Sequence, residues 1–286
     1  MGAASITYIT TCKGRLEHLR QSLPRVAAQP QVQVIVVDYD CPDGSGQWVK
    51  DNFPQVRVVR IDDDPGFLLT RARNAGGQAA ATPWLAFFDA DILLADDFFR
   101  TASENLVSGH YYRADPPSIQ TWGSVVCERD IFLKVGGYDP VFRGWGGEDD
   151  DFYSMLEFAG CRRGVMDGRR LSEIDHGDDA RTRFQADAKL ASHQRNQIYR
   201  SVKLDVMRMS GGYLPLALRE QIYEQIRSKL EARGKTGQHS LEIRIRLPET
   251  AVHHPLSAED PKRRPVTQVE RSLSYSLSWN FDVAGR

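Results

Sequence analysis

The chain has 286 residues, and its 37 lysines and arginines against 38 aspartates and glutamates give a formal net charge of −1. Hydrophobic residues make up 41% and charged residues 26%, an ordinary balance for a soluble globular protein that argues against a bulk electrostatic grip on nucleic acid or an anionic membrane. The length fits one large α/β domain with an extension, or two small domains.

Residues 5–10 (SITYIT) read as a first strand, and Leu16, Leu19 and Leu23 then recur at helical spacing before Pro24. The mostly apolar run 32–37 (VQVIVV) suits a strand buried on both faces. It ends in Asp38-Tyr39-Asp40 and a Pro-Asp-Gly-Ser-Gly turn. A strand over 56–61, a helix over 71–81 and a strand over 84–88 follow, the last ending in Asp89-Ala90-Asp91. Alternation of strand and helix predicts a parallel-rich α/β sheet flanked by helices. Its acidic and glycine-rich turns fall at the C-terminal strand ends, where open sheets bind ligands.

Past residue 185 the character changes, which divides the chain into 1–185 and a C-terminal extension, 186–286. The extension reads as a helix over 187–209 and a second after Pro215 with Leu218, Ile222, Ile226 and Leu230 on one side. Two alternating strands, 241–247 and 272–281, flank a Pro-, His- and Arg-rich loop. The apolar face of the last strand needs cover, from its own chain or from an oligomer or partner contact. Cys12, Cys41, Cys127 and Cys161 include no CxxC pair and read as buried free thiols. Lys13 and Arg15 interrupt any N-terminal apolar run, and no stretch approaches the ~20 apolar residues of a membrane span. The expected setting is cytoplasmic, with docking at the inner face of the membrane where the acceptor is lipid-linked.

Two segments carry the chemistry. Asp89 and Asp91 at i, i+2 leave an extended segment on one side. Their mutual repulsion invites a hard divalent cation, Mg²⁺ or Mn²⁺, although a solvated helix-capping loop would show the same spacing. In Gly144-Trp145-Gly146-Gly147-Glu148-Asp149-Asp150-Asp151, the glycines permit unusual backbone angles and close approach of a ligand. Four acids then open a helix. The helix dipole favours one or two acids there; four repel one another, and a base plus acceptors for sugar hydroxyls accounts for them better. Trp145 supplies an apolar platform for a sugar ring, or a half-buried core residue.

These segments, with Gly136-Gly137-Tyr138-Asp139-Pro140, Ala72-Arg73-Asn74 and Gly76, and FFDAD at 87–91, resemble the inverting glycosyltransferases of the GT-A fold. The likeness is to family 2 enzymes whose second half is galactosyltransferase-like, and it covers roughly residues 5–185. It implies a Rossmann-like nucleotide-binding fold with a helical and β extension. Thr10, Thr11 and Arg15 would lie near the nucleotide, Asp38 or Asp40 near the uracil, and Arg73 would help hold the nucleotide. The Asp-Tyr-Asp-Cys at 38–41 departs from the family's usual Asp-Asp-Gly-Ser. Asp89 would face the ribose or the metal's water shell, and Asp91 and His176 would ligate the metal, an imidazole suiting Mn²⁺ better than Mg²⁺. Asp149 would be the general base, with Trp145, Gly146, Gly147, Glu148 and Asp150 around the donor and acceptor sugars. The implied reaction moves a hexose from a UDP-sugar to an acceptor hydroxyl of a glycan or glycoconjugate, with inversion. A non-catalytic sugar-nucleotide or glycan-binding module is the alternative, and product analysis separates the two.

Overall fold

The computed structural model describes residues 5–30, 32–64, 66–175, 184, 188–233, 240–246 and 272–278. The chain divides into two units, residues 1–193 and 194–286. The first unit opens with β1 (Ile6–Cys12), α1 (Leu16–Ala27), β2 (Val32–Tyr39), α2 (Ser45–Asn52), β3 (Arg57–Ile61), α3 (Leu69–Ala79) and β4 (Trp84–Phe87). It continues through β5 (Ile92–Leu94), α4 (Phe98–Asn105), β6 (His110–Asp115), β7 (Val125–Glu128), α5 (Arg129–Val135), α6 (Glu148–Phe158), β8 (Arg162–Asp167) and β9 (Leu171–Glu173). Helix α1 runs past Pro24 instead of stopping there. The proline removes one N–H donor, and the carbonyl left over belongs to exposed Arg20, where water can reach it.

Seven strands form one sheet in the order β3-β2-β1-β4-β7-β6-β8. Strands β1 to β4 are mutually parallel where they pair, β7 is antiparallel to both its neighbours, and β8 runs parallel to β6. The result is the parallel-rich mixed α/β sheet expected. Its central strands are apolar on both faces because helices cover both faces. Alternate residues go to opposite cores. Tyr8, Val34, Val36 and Ala86 join Leu19, Leu23, Phe98 and Phe99 on one face, whereas Ile9, Ile35, Val37 and Phe87 join Ala72, Phe132, Phe152 and Leu156 on the other. Gly76 lets α3 approach the second face closely, since a Cβ there would lie 2.4 Å from Ile9.

This topology positions the site. Parallel β1, β2, β3 and β4 deliver their C-terminal ends to one edge, which gathers Cys12–Arg15, Asp38–Asp40, Asp62–Asp64 and Asp89–Asp91. Strand β1 sits between β2 and β4, the reversal of strand order at which such sheets open a crevice.

The second unit contains most of α7 (Lys189–Ser210), then α8 (Leu216–Arg233), β10 (Ser240–Arg246) and β11 (Ser272–Ser278). Within it Tyr199 packs edge-on against Tyr223 at 5.3 Å, and Arg195 Nε donates to the Tyr223 hydroxyl at 2.7 Å. Strands β10 and β11 pair antiparallel, with Leu241 opposite Leu277 and Ile243 opposite Tyr275. The last strand was expected to run to Phe281; residues 279–281 lie outside the described residues. Among the described residues no helix is long and apolar enough to cross a membrane.

Candidate functional site

A cleft of about 280 Å³ opens at the C-terminal edge of β1 and β4. Its lining includes Thr11, Lys13, Arg15, Asp89, Trp122, Trp145, Glu148, Asp149, Asp150 and His193. Thr11, Arg15, Asp89, Trp145 and the acids after it were nominated by sequence; the structure brings them to one wall-and-floor arrangement. Thr10 is fully buried one residue behind.

The floor is organised by Arg73. This residue projects from α3 and is 2% exposed, its guanidinium 5.0 Å from the centre of the Tyr138 ring. Nη2 donates to Asp89 Oδ1 at 2.9 Å, and Nη1 donates to Asp149. Gly123 passes so close that a Cβ there would lie 2.8 Å from Arg73 Nη2. The neighbouring Asn74 clips the loop before α6. Its Nδ2 donates to the Tyr138 carbonyl at 2.7 Å, and its Oδ1 accepts the Tyr138 N–H at 2.8 Å. The Ala-Arg-Asn segment thus sets both the charge of the floor and the path of the chain above it.

The acidic loop takes its shape from Gly144, Gly146 and Gly147, with φ of 73°, 88° and 91°, values that side chains disfavour. Gly147 caps α6 in the left-handed conformation, so that Glu148, Asp149, Asp150 and Asp151 form the first turn. A Cβ on Gly146 would sit 2.6 Å from His193 Nδ1. Burial raises Asp149 above the ordinary carboxylate value against the pull of Arg73, and Asp89 adds to the rise. Burial and the charge of Asp149 push Glu148 up to about 8. Glu148 Oε2 is buried without a hydrogen-bond partner, and the residue lines the cleft. Asp149 and Glu148 therefore form a buried acid pair in which one member holds a proton near neutral pH.

Two tryptophans flank the acids. Trp145 packs against His193 at 5.4 Å, with the Lys189 ammonium 4.6 Å from its ring centre. Trp122 Nε1 donates to Asp150 Oδ1 at 2.9 Å. The Arg113 guanidinium lies between the rings of Trp122 and Tyr153, at 4.1 and 4.0 Å. Trp122 is 40% exposed. Sequence reasoning passed over Trp122, Arg113, His193 and Lys13. Trp122 and Lys13 sit in no patterned run, and His193 lies in a helix whose periodicity does not say which loop it meets.

Asp38 and Asp40 part company. Asp38 is fully buried, accepting from the Cys41 and Gly46 N–H groups at 2.9 and 3.1 Å and from Arg60 Nη1 at 2.7 Å. It holds the turn after β2. Asp40, with φ of 43°, stands at the surface 3.5 Å from Arg60 Nη2.

Asp89 and Asp91 also diverge. Asp89 lines the cleft, whereas the Asp91 carboxylate, 10% exposed, pairs with Arg15 Nη1 at 2.5 Å. Both are hard oxygen donors of the kind Mg²⁺ and Mn²⁺ take. Among the described residues no group of three or more His, Cys, Asp or Glu side chains converges to hold a metal. His176, expected as a further ligand, lies outside the described residues. The end of β4 thus offers two carboxylates of the type a divalent cation takes, Asp89 paired with Arg73 and Asp91 with Arg15.

The family model for glycosyl transferase family 2 matches residues 7–112, and the model for the N-terminal domain of galactosyltransferase matches residues 106–177. The chain is 29% identical to β-1,4-galactosyltransferase 5 of Danio rerio over 97 residues, which is 33% of this chain and 24% of that protein. It is 27% identical to human β-1,4-galactosyltransferase 1 over 115 residues, 37% of this chain and 29% of that protein. The matches thus span about a quarter of the length of these relatives. Among solved structures, S. aureus TarS 1–349 in complex with UDP-GlcNAc superposes with a TM-score of 0.55 at 13% identity, covering 81% of this chain and 73% of that one. Mannosyltransferase PcManGT from Pyrobaculum calidifontis, in complex with GDP-Man and Mn²⁺, gives 0.52 at 14% identity, covering 83% and 77%. Residues 7–177 therefore carry the GT-A fold and match the glycosyl transferase family 2 model in their first part and the galactosyltransferase model in their second.

Proposed function

We propose that the protein transfers a hexose from a UDP-sugar to a hydroxyl of a glycan or glycoconjugate acceptor, with inversion at the anomeric carbon. The observation that carries this reading is Asp149: a carboxylate in the first turn of α6, facing the cleft between two tryptophans and charge-balanced by buried Arg73.

In this reading Asp149 removes the acceptor proton as the oxygen attacks, and Arg73 keeps it ionised despite burial. Glu148, protonated near neutral pH, donates a hydrogen bond to a sugar oxygen instead of repelling its neighbour. Lys13 and Arg15 supply positive charge toward the diphosphate. Trp145 faces the donor sugar, and Trp122 offers a stacking surface to the acceptor. Asp91 and Asp89, with His176, would hold Mn²⁺ or Mg²⁺, which when bound stabilises charge on the departing nucleoside diphosphate.

The test is incubation of the full chain with a panel of UDP-hexoses, oligosaccharide acceptors and Mn²⁺, with UDP and glycoside quantified. UDP and a β-linked product from an α-linked donor, both lost on chelation and in Asp149→Asn, are expected. UDP-sugar binding without any product across the panel would instead favour a binding module.

A further inference from the structure

The ends of β1 and β2 bring together two cysteines that no part of the proposed chemistry uses. Strand register places Cys12 beside Asp38. Asp38 in turn holds Cys41 by its N–H at 2.9 Å. Cys12 is fully buried and Cys41 is 6% exposed, both in the same core cluster. The two thiols are close enough to act on each other electrostatically. Cys41 Sγ also accepts the Gly14 N–H at 3.2 Å. It lies beneath the exposed turn Pro42–Gly44, closed by the Gly44 N–H on the Cys41 carbonyl at 3.1 Å.

This setting divides the pair into nucleophile and partner. Interaction with the Cys12 thiol lowers the Cys41 thiol to about 5, and Ser45 and the N–H groups of Gly14 and Asp43 assist against the opposing effect of burial. The same interaction, with burial, raises Cys12. A thiolate held beside a protonated thiol is the arrangement that peroxides oxidise to a disulfide. Cys127 and Cys161 are raised by burial and lack it.

We infer that Cys12 and Cys41 form a peroxide-sensitive dithiol whose disulfide ties the first two strand ends together and weakens nucleotide binding at the cleft. The Cys41 thiolate attacks one oxygen of hydrogen peroxide and the O–O bond breaks. This gives a sulfenic acid and a hydroxide that takes up a proton. The Cys12 sulfur then attacks the sulfenic sulfur, the S–O bond breaks, and the Cys12 proton leaves with the oxygen as water. The balance is two thiols and one peroxide to one disulfide and two waters. The bond removes the thiolate that holds the Gly14 N–H. Gly14 lies between Lys13 and Arg15, both of which line the cleft. The nucleotide consequence rests on the donor site proposed above; the disulfide itself does not.

The experiment treats the folded full chain with hydrogen peroxide, blocks remaining thiols with N-ethylmaleimide after unfolding, and maps tryptic peptides by mass. The expected result is a cross-linked pair containing residues 1–13 and 26–50, with Cys127 and Cys161 alkylated, reversed by dithiothreitol. Free Cys12 and Cys41 after treatment, or Cys41 carried to sulfinic acid without a cross-link, would overturn the proposal. Thermal shift with UDP is then read on reduced and oxidised protein, with Cys12→Ser as the form that cannot cross-link. A UDP affinity at least tenfold weaker only in the oxidised wild type supports the functional half, and equal shifts in both forms overturn it. Absence of any UDP shift in reduced protein counts against the donor site and leaves the mapped disulfide standing.

Discussion

Asp149 accepts a hydrogen bond from Arg73, a guanidinium 2% exposed that bonds Asp89 with its other terminal nitrogen at 2.9 Å. One buried cation therefore joins the end of β4 to the start of α6. The acid of the cleft floor is charge-balanced before any substrate arrives. Replacing Asp149 by Asn keeps the shape and removes the base. Turnover is expected to fall by ~10²–10⁴-fold while the UDP-induced melting shift survives, read by UDP release and thermal denaturation on the same sample. Retained turnover would move the base to another residue.

Arg73→Met removes the shared partner and leaves two acids facing an uncompensated interior. The expected cost is about 3 kcal/mol, at the low end for a buried partner because Asp89 is 37% exposed. Urea denaturation at pH 7 measures it. Arg73→Lys keeps the charge but cannot reach both acids with one planar fork. Weaker support for ionised Asp149 moves the acid limb of its rate profile to higher pH.

Glu148 makes stability depend on pH. Its folded value of about 8 lies above the ordinary 4.5, so the folded state binds the proton more tightly. Below 4.5 both folded and unfolded chains are protonated, and this stabilising contribution is fully present. As pH rises from 4.5 to 8 the unfolded chain ionises first and the contribution is lost; above 8 the loss levels off. Glu148→Gln carries no such dependence. Its melting temperature should match wild type near pH 4.5 and exceed it by a margin that grows up to pH 8. A margin independent of pH would contradict the assignment.

Trp122 stands on Arg113, which stands on Tyr153, and its indole N–H is tied to Asp150. Trp122→Ala should raise the acceptor KM roughly fivefold to tenfold, the ~1–1.4 kcal/mol scale of one aromatic contact. The donor-induced melting shift should not change, and Trp122→Phe should recover most of the loss. A change confined to donor affinity would place the donor, not the acceptor, against this ring.

Asp38 is a structural hub, and Gly46 is its contact surface. A Cβ at Gly46 would lie 2.2 Å from Asp38 Oδ2. Gly46→Ala should cost about 1–3 kcal/mol through forced displacement of the buried carboxylate, visible as a lowered denaturation midpoint. An unchanged midpoint would mean that the turn after β2 relaxes freely.

Much of the first unit was legible in the chain because its signals are local. Apolar runs such as 32–37 announce strands covered on both faces. The acids that end them mark the ligand-binding edge, and three glycines before four acids mark an irregular turn leading into a helix. Residues such as β8, an edge strand reading Arg-Arg-Gly-Val-Met-Asp, carried no comparable pattern. Their place comes from backbone pairing with β6, not from an apolar face.

Tertiary structure alone decided the partnerships. Arg73 and Asp149 are 76 residues apart, and nothing in either segment says that they meet. Strand order β2-β1-β4 brings α3 beneath the end of β4, and the Asn74 clip brings the loop before α6 over it. Likewise Asp38 and Asp40, equivalent on paper and spaced i, i+2, separate because the strand ends at Tyr39 and Asp40 takes a φ of 43°, which breaks the alternation that would keep them on one side: Asp38 stays in the protein and Asp40 reaches the surface. The sequence by itself determined which residue types stand at the ligand-binding edge, because side-chain periodicity is a local property. Which of those residues face one another, and therefore which acid is charge-balanced and which is left with a proton, was settled only by packing across the sheet.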